Sequence, residues 1–156
     1  MKKEEGNYKD GKREGKWVFY YENGKVEGEG NYKDGEKEGG WVFYYENGKI
    51  ELEGNYKDGK KEGKSVSYNM NGKVREEGNY KCGKKEGKTV WYYDNGEVWS
   101  QRNYKDDRKD GKWIWYNENG EIRNIESYEE GRRIDWEVQL ILYSSLTTSF
   151  SLVSQF

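Results

Sequence analysis

GKWVFYYENGK, residues Gly15 to Lys25, is the stretch on which the fold turns. Its first half crowds aromatic and β-branched side chains, which suit a pleated strand. Its second half carries Asn-Gly, the strongest short-range hairpin signal, because both central residues of a type I′ turn need positive φ. Near-copies begin at Gly39, Gly87 and Gly111. Around them the spacing is invariant: Tyr8, Tyr32, Tyr56, Tyr80, Tyr104 and Tyr128 recur every 24 residues, and so do Gly24, Gly48, Gly72, Gly96 and Gly120. A fixed period of this length marks an array built from one small supersecondary unit.

Each unit, counted from Asn7, Asn31, Asn55, Asn79 and Asn103, holds an aromatic strand, the turn ENGK or a relative of it, a returning strand, and a Gly-flanked polar turn such as DGKREG. One unit is one β-hairpin. The expected fold is all-β: an elongated, twisted antiparallel meander of tandem 24-residue hairpin repeats. Residues 1–6 form a lead-in, 7–131 carry five units and a partial sixth, and 132–156 are an atypical C-terminal segment. An isolated hairpin is marginal in water, so stability has to accumulate by stacking neighbours.

Composition agrees with a folded, soluble array. Charged residues make up 37% of the chain and hydrophobic ones only 31%, a balance that leans toward disorder, but aromatics reach 17% and disordered chains are poor in them. The 28 basic and 30 acidic residues alternate in short mixed runs. With a net charge of -2 and no broad positive field, nucleic acid is not the expected partner. The chain has no histidine, so a Ser-His-Asp triad, a Cys-His pair and an imidazole metal site are excluded. Cys82 is the sole cysteine, which excludes a thiolate zinc site and an internal disulfide. The acidic pairs Glu27/Glu29 and Glu51/Glu53 sit beside Lys and Arg on a solvated strand face rather than in a pocket. No enzyme, cofactor or metal is expected.

Strand alternation sorts the side chains. The pairs Val18/Tyr20, Val42/Tyr44, Val66/Tyr68, Val90/Tyr92 and Ile114/Tyr116 never change class. Together with Val26, Ile50, Val74, Val98, Ile122 and the periodic tyrosines they are assigned to the core, with Gly28 and Gly30 leaving room for a neighbour's ring to lie across the backbone. The opposite face varies: Trp17/Phe19/Tyr21, Trp41/Phe43/Tyr45, Ser65/Ser67/Asn69, Thr89/Trp91/Tyr93 and Trp113/Trp115/Asn117. A packed site that accepted Trp and Ser in turn would leave costly voids, so this face is expected to be partly exposed and to bind a partner through Trp17, Phe19, Tyr21, Trp41, Phe43, Tyr45, Trp91, Trp113 and Trp115. The competing account is a sheet that curls and buries these rings as a second half of the core.

The units EGKWVFYYENGKVEGEGNYKDGEKEGG and EGKTVWYYDNGEVWSQRNYKDDRKDGK resemble the bacterial variant of the MORN repeat, whose theme is Gly-x-Trp-x-x-Tyr-x-x-x-Gly followed by Tyr-x-x-Gly. They are also similar to YwqK-type antitoxins. The resemblance spans residue 6 to about residue 131, with departures at Ser65, in place of Trp, and Asp107, in place of a turn Gly. It implies a non-enzymatic module for protein-protein interaction and, on the antitoxin side, a toxin-like partner. A surface or envelope module that binds glycan or host material, with or without membrane contact, is the alternative, and a structural spacer is the third. The polar N-terminus implies a cytoplasmic location, or a surface or secreted one if a leader precedes it. The stretch Val138 to Phe156 has no charge and no glycine and is too rich in Ser, Thr and Gln for a membrane span. It is expected to cap the last hairpin, to dock another chain, including a second copy of this one, or to be a terminus foreign to the repeats.

Overall fold

Two kinds of turn alternate along the chain, and between them they fix every strand. The tighter one is the Asp-Gly pair: Asp10 and Gly11 have φ of 51° and 77°, Asp34 and Gly35 53° and 89°, Asp58 and Gly59 48° and 74°. Two successive positive φ values define the two-residue turn whose twist matches that of paired strands. The other turn is the ENGK segment, and here the structure corrects the expectation. Only the glycine is left-handed, with φ 80° at Gly24. Gly24 N–H donates to the Tyr21 carbonyl at 2.9 Å and Tyr21 N–H to the Lys25 carbonyl at 2.9 Å, closing a three-residue loop. The Asn23 side chain is committed to the backbone, its Oδ1 accepting from Lys25 N–H at 3.0 Å, so Asn23 has no need of the left-handed region.

These turns join thirteen strands in the computed structural model, which describes residues 3–134. They are β1 (Glu4–Lys9), β2 (Lys12–Tyr20), β3 (Val26–Lys33), β4 (Glu36–Tyr44), β5 (Ile50–Lys57), β6 (Lys60–Tyr68), β7 (Val74–Lys81), β8 (Lys84–Lys85), β9 (Gly87–Tyr92), β10 (Val98–Lys105), β11 (Arg108–Tyr116), β12 (Ile122–Glu129) and β13 (Arg132–Ile134). All pairings are antiparallel and run in chain order through one open sheet, with β8 paired to β7 beside β9. The expected hairpin meander is therefore what the chain forms. Residues 135–156 lie outside the described residues, and with them the cap and docking roles expected of the C-terminal segment.

Regular interruptions shape the sheet. On the aromatic strands the register steps from Gly30↔Trp41 to Asn31↔Glu38, so two extra residues bulge out around Gly39, whose φ is 70°. The equivalent Gly15, Gly63, Gly87 and Gly111 repeat that geometry. A residue with a Cβ would be strained there, which explains the fixed glycine. On the returning strand a second bulge places Glu27 between the pairs Phe19↔Gly28 and Tyr20↔Val26.

That second bulge breaks the strict alternation assumed from sequence, because one extra residue moves everything beyond it to the other face. Val26 stays with Tyr20, while Gly28, Gly30 and Tyr32 join the tryptophan side. The buried face is accordingly the one expected to be exposed: Trp17 and Trp41 are 1% exposed and Trp113 5%, whereas Val18, Val42, Val66 and the tyrosines beside them are half-buried. Trp41 lies flat over Gly30, where a Cβ would meet its Cδ2 at 2.3 Å, and Trp17 covers Gly6 in the same way at 2.2 Å. Glycine does make room for a neighbour's ring, as expected, but the ring is indole. Each indole N–H donates to a backbone carbonyl: Trp17 to Asn7 at 3.2 Å, Trp41 to Asn31 at 3.0 Å, Trp113 to Asn103 at 2.9 Å.

At the outer ring position sizes trade across strands, while at the tryptophan position Ser65 stands between Gly54 and Gly78 with no bulkier partner. Phe19, Gly28 and Phe43 succeed one another across β2, β3 and β4, and Trp91, Ser100 and Trp115 across β9, β10 and β11, with large residues on the aromatic strands. In the third unit the order inverts to Leu52, Ser67 and Glu76, so bulk moves to the returning strands.

Candidate aromatic and cationic face

The tryptophan face is the candidate site. Its rings fall into two groups. In the first, Tyr8 meets Trp17 edge-on at 4.9 Å, Tyr32 stands edge-on to both Trp17 at 6.0 Å and Trp41 at 5.1 Å, and Trp41 meets Tyr56 at 6.3 Å. Phe19 and Phe43 flank Trp41 at 6.1 and 5.6 Å. In the second, Trp91, Tyr104, Trp113, Trp115 and Tyr128 pack at 5.2 to 6.2 Å. Ser65 and Ser67 separate the two groups and are themselves buried.

Of the residues expected to bind a partner, seven share this face. Trp17, Trp41 and Trp113 form its buried floor, which corrects their assignment as contact residues. Phe19, Phe43, Trp91 and Trp115 are half-buried and keep ring surface in reach of solvent. Tyr21 and Tyr45 are separate from the stripe, at the hairpin loops. Tyr21 donates its hydroxyl to the Tyr44 carbonyl at 2.5 Å and Tyr45 to the Tyr68 carbonyl at 2.6 Å, each tying one unit to the next.

A row of cations that sequence reasoning overlooked runs across the rings. Arg13 lies 4.6 Å from the Trp17 ring centre, Lys37 4.3 Å from Trp41, Lys61 4.8 Å from Tyr80, Lys85 4.7 Å from Trp91 and Lys109 4.4 Å from Trp113. Such cations gain electrostatically from the ring faces while their stems cover apolar surface. The signal was present as a basic residue every 24 positions, hidden among many other lysines. Burial lowers the pKa of Lys37 and of Lys61 below the ordinary lysine value. Burial pushes the Tyr80 phenol up to about 12. Arg102 is a further cation, 4.2 Å from Trp91 and 5.0 Å from Trp99, standing where the earlier units have glycine.

The other face is knit by Tyr-Glu pairs and ion pairs. Tyr44 donates to Glu29 at 3.1 Å, Tyr68 to Glu53 at 2.5 Å and Tyr92 to Glu77 at 2.5 Å; Lys16 and Lys64 pair with Glu29 and Glu77 at 2.8 and 3.0 Å. The Lys16 hydrogen bond leads in holding the Glu29 carboxyl below the usual range. Glu29 and Glu53, one member of each of the acidic pairs Glu27/Glu29 and Glu51/Glu53, thus serve the sheet with at least one partner each.

The sequence model of the MORN repeat variant matches five segments, residues 13–34, 37–58, 61–81, 85–106 and 109–130. No curated protein matches the chain. The five segments follow the hairpin array through most of its length, each running from a ring-covering cation to the following Asp-Gly turn or its equivalent, and on that basis the chain belongs to the MORN repeat variant family.

Proposed function

We propose that this chain is a non-enzymatic protein-binding module whose contact surface is the tryptophan face. Repeats of this family are commonly protein- or membrane-binding modules, generally without catalytic activity. The observation that carries the choice is the outer layer of that face: Phe19, Phe43, Trp91 and Trp115 keep ring surface open between cations, on a single-layer sheet that no other element covers among the described residues. Aromatic rings are enriched where proteins meet, because they supply rigid contact area at small entropic cost. From the similarity to YwqK-type antitoxins, the partner we favour is a toxin encoded beside this chain.

Affinity capture from the source cells tests the proposal. The double variant Phe43→Ser with Trp115→Ser should lose the captured protein at least tenfold while remaining folded by circular dichroism. Val42→Ser, on the opposite face, should keep it. Equal capture by all three chains, or selective retention of glycans instead of protein, overturns the assignment.

A further inference from the structure

The cation row contains its own comparison. Arg13 Nη2 is 2.8 Å from Glu4 Oε2, and Lys85 Nζ is 2.6 Å from Glu76 Oε1. Each glutamate stands nine residues before its cation, at one register position of the returning strand. Lys61 has the apolar Leu52 at that position, and Lys109 has Ser100 but donates to the Tyr128 hydroxyl at 3.1 Å. For Lys37 the position is Gly28. No carboxylate lies within ion-pair distance of Lys37 among the described residues. The Phe43 ring leans over Gly28, where a Cβ would meet its Cδ1 at 2.8 Å, and beside it opens a cavity of about 230 Å³ lined by Gly28, Phe19, Tyr32 and Phe43 and reached by Lys37. Exposed Glu27 stands at its lip.

We propose that this cavity is a carboxylate site: it takes an acidic side chain on an apolar stem, a glutamate of a partner's peptide segment, which pairs with Lys37 as Glu4 and Glu76 pair with their own cations. The ammonium supplies the charge, as Lys85 does for Glu76, and the two phenylalanine rings pack the methylenes. A half-desolvated ammonium without a counterion gains more from a carboxylate than an exposed one does. Burial and neighbouring Lys61 both disfavour the charged form of Lys37 in the free protein, and an entering carboxylate relieves that cost. Among the described residues Glu27 is the one acid lining the cavity, and it opposes entry. The identity of the donor as a protein rests on the function proposed above; the chemistry of the cavity does not.

Sodium butyrate, which carries the glutamate carboxylate on a short apolar stem, is the probe, with butylammonium chloride as the control of opposite charge. In amide NMR titrations of the full chain, butyrate should give saturable shifts at Gly28 and Phe43, and butylammonium none. Lys37→Met should abolish the butyrate shifts, Lys37→Arg should retain them, and Glu27→Gln should tighten binding. Absence of saturable shifts in the wild type, persistence of them in Lys37→Met, or equal response to both probes overturns the carboxylate site. None of these results depends on finding a protein partner, so capture by the Phe43 and Trp115 variants tests the binding module independently of the cavity.

Discussion

Trp41 is held in three ways at once: its ring covers Gly30, its N–H bonds to the Asn31 carbonyl, and Lys37 lies over its outer side. Truncating a buried indole removes the transfer energy of the ring and leaves a hole between rigid strands, so Trp41→Ala should cost about 3–5 kcal/mol in urea denaturation. Phe43→Ala, at a half-buried site, should cost clearly less. A loss below about 1 kcal/mol for Trp41→Ala would mean that the floor residues do not hold the sheet together. This ranking could not be had from the sequence, where Trp, Ser, Thr and Trp follow one another at a single repeat position and look like surface variation. The missing quantity was the partner across the strand: Ser65 is buried between Gly54 and Gly78 without a ring, Leu52 and Glu76 flank Ser67 at the next ring position, and neither arrangement is visible until the register is known. The aromatic set itself was legible, and four of its members do line the open side of the face.

The strand-turn-strand unit is the level at which sequence was most informative. The period, the hairpins and the meander all follow from turn residues and β-rich runs, and thirteen paired strands bear that out. The turn types were exchanged, because Asn-Gly and Asp-Gly carry the same short-range signal and only the competition for the asparagine side chain separates them. The Asp-Gly turns are also stapled between units: Glu14 accepts from Asp34 N–H at 3.0 Å, Glu38 from Asp58 N–H at 3.2 Å, Glu62 from Cys82 N–H at 2.8 Å and Glu86 from Asp106 N–H at 3.0 Å. Cys82 is the odd residue in this series, exposed and at φ 50°. Asparagine tolerates that region better than cysteine, which has no local bond to offset its crowded Cβ. Cys82→Asn should therefore raise stability by about 0.5–1 kcal/mol, measured as a shift of the denaturation midpoint, and an unchanged or lower midpoint would show that the turn is not strained there.

At the scale of the molecule, the same groups recur in unit after unit, so their titrations add. Tyr68, Tyr80 and Tyr92 are each pushed up to about 12 from a usual 10.0, led by the hydrogen bond to Glu53 for the first and by burial for the other two. A raised folded-state pKa means that the unfolded chain loses its proton first. Stability from these phenols is then intact below pH 10 and is lost as the pH climbs through 12. Lys37 and Lys61, lowered by burial, act in the other sense, adding stability as pH rises toward their usual 10.5, and the three tyrosines outweigh them above that point. Denaturation midpoints should fall steeply between pH 10 and 12 and less steeply in Tyr80→Phe; an identical slope in the variant would remove Tyr80 from the account. The chain-order pairing of the sheet has a mechanical corollary. In a meander with no crossover, a pull on the two termini loads each ladder at one end, so bonds break singly, as in a zipper, and never all together in shear. Held between optical traps, the array should give way at low force in equal steps, each releasing roughly 80 Å of chain, the contour of one 24-residue unit.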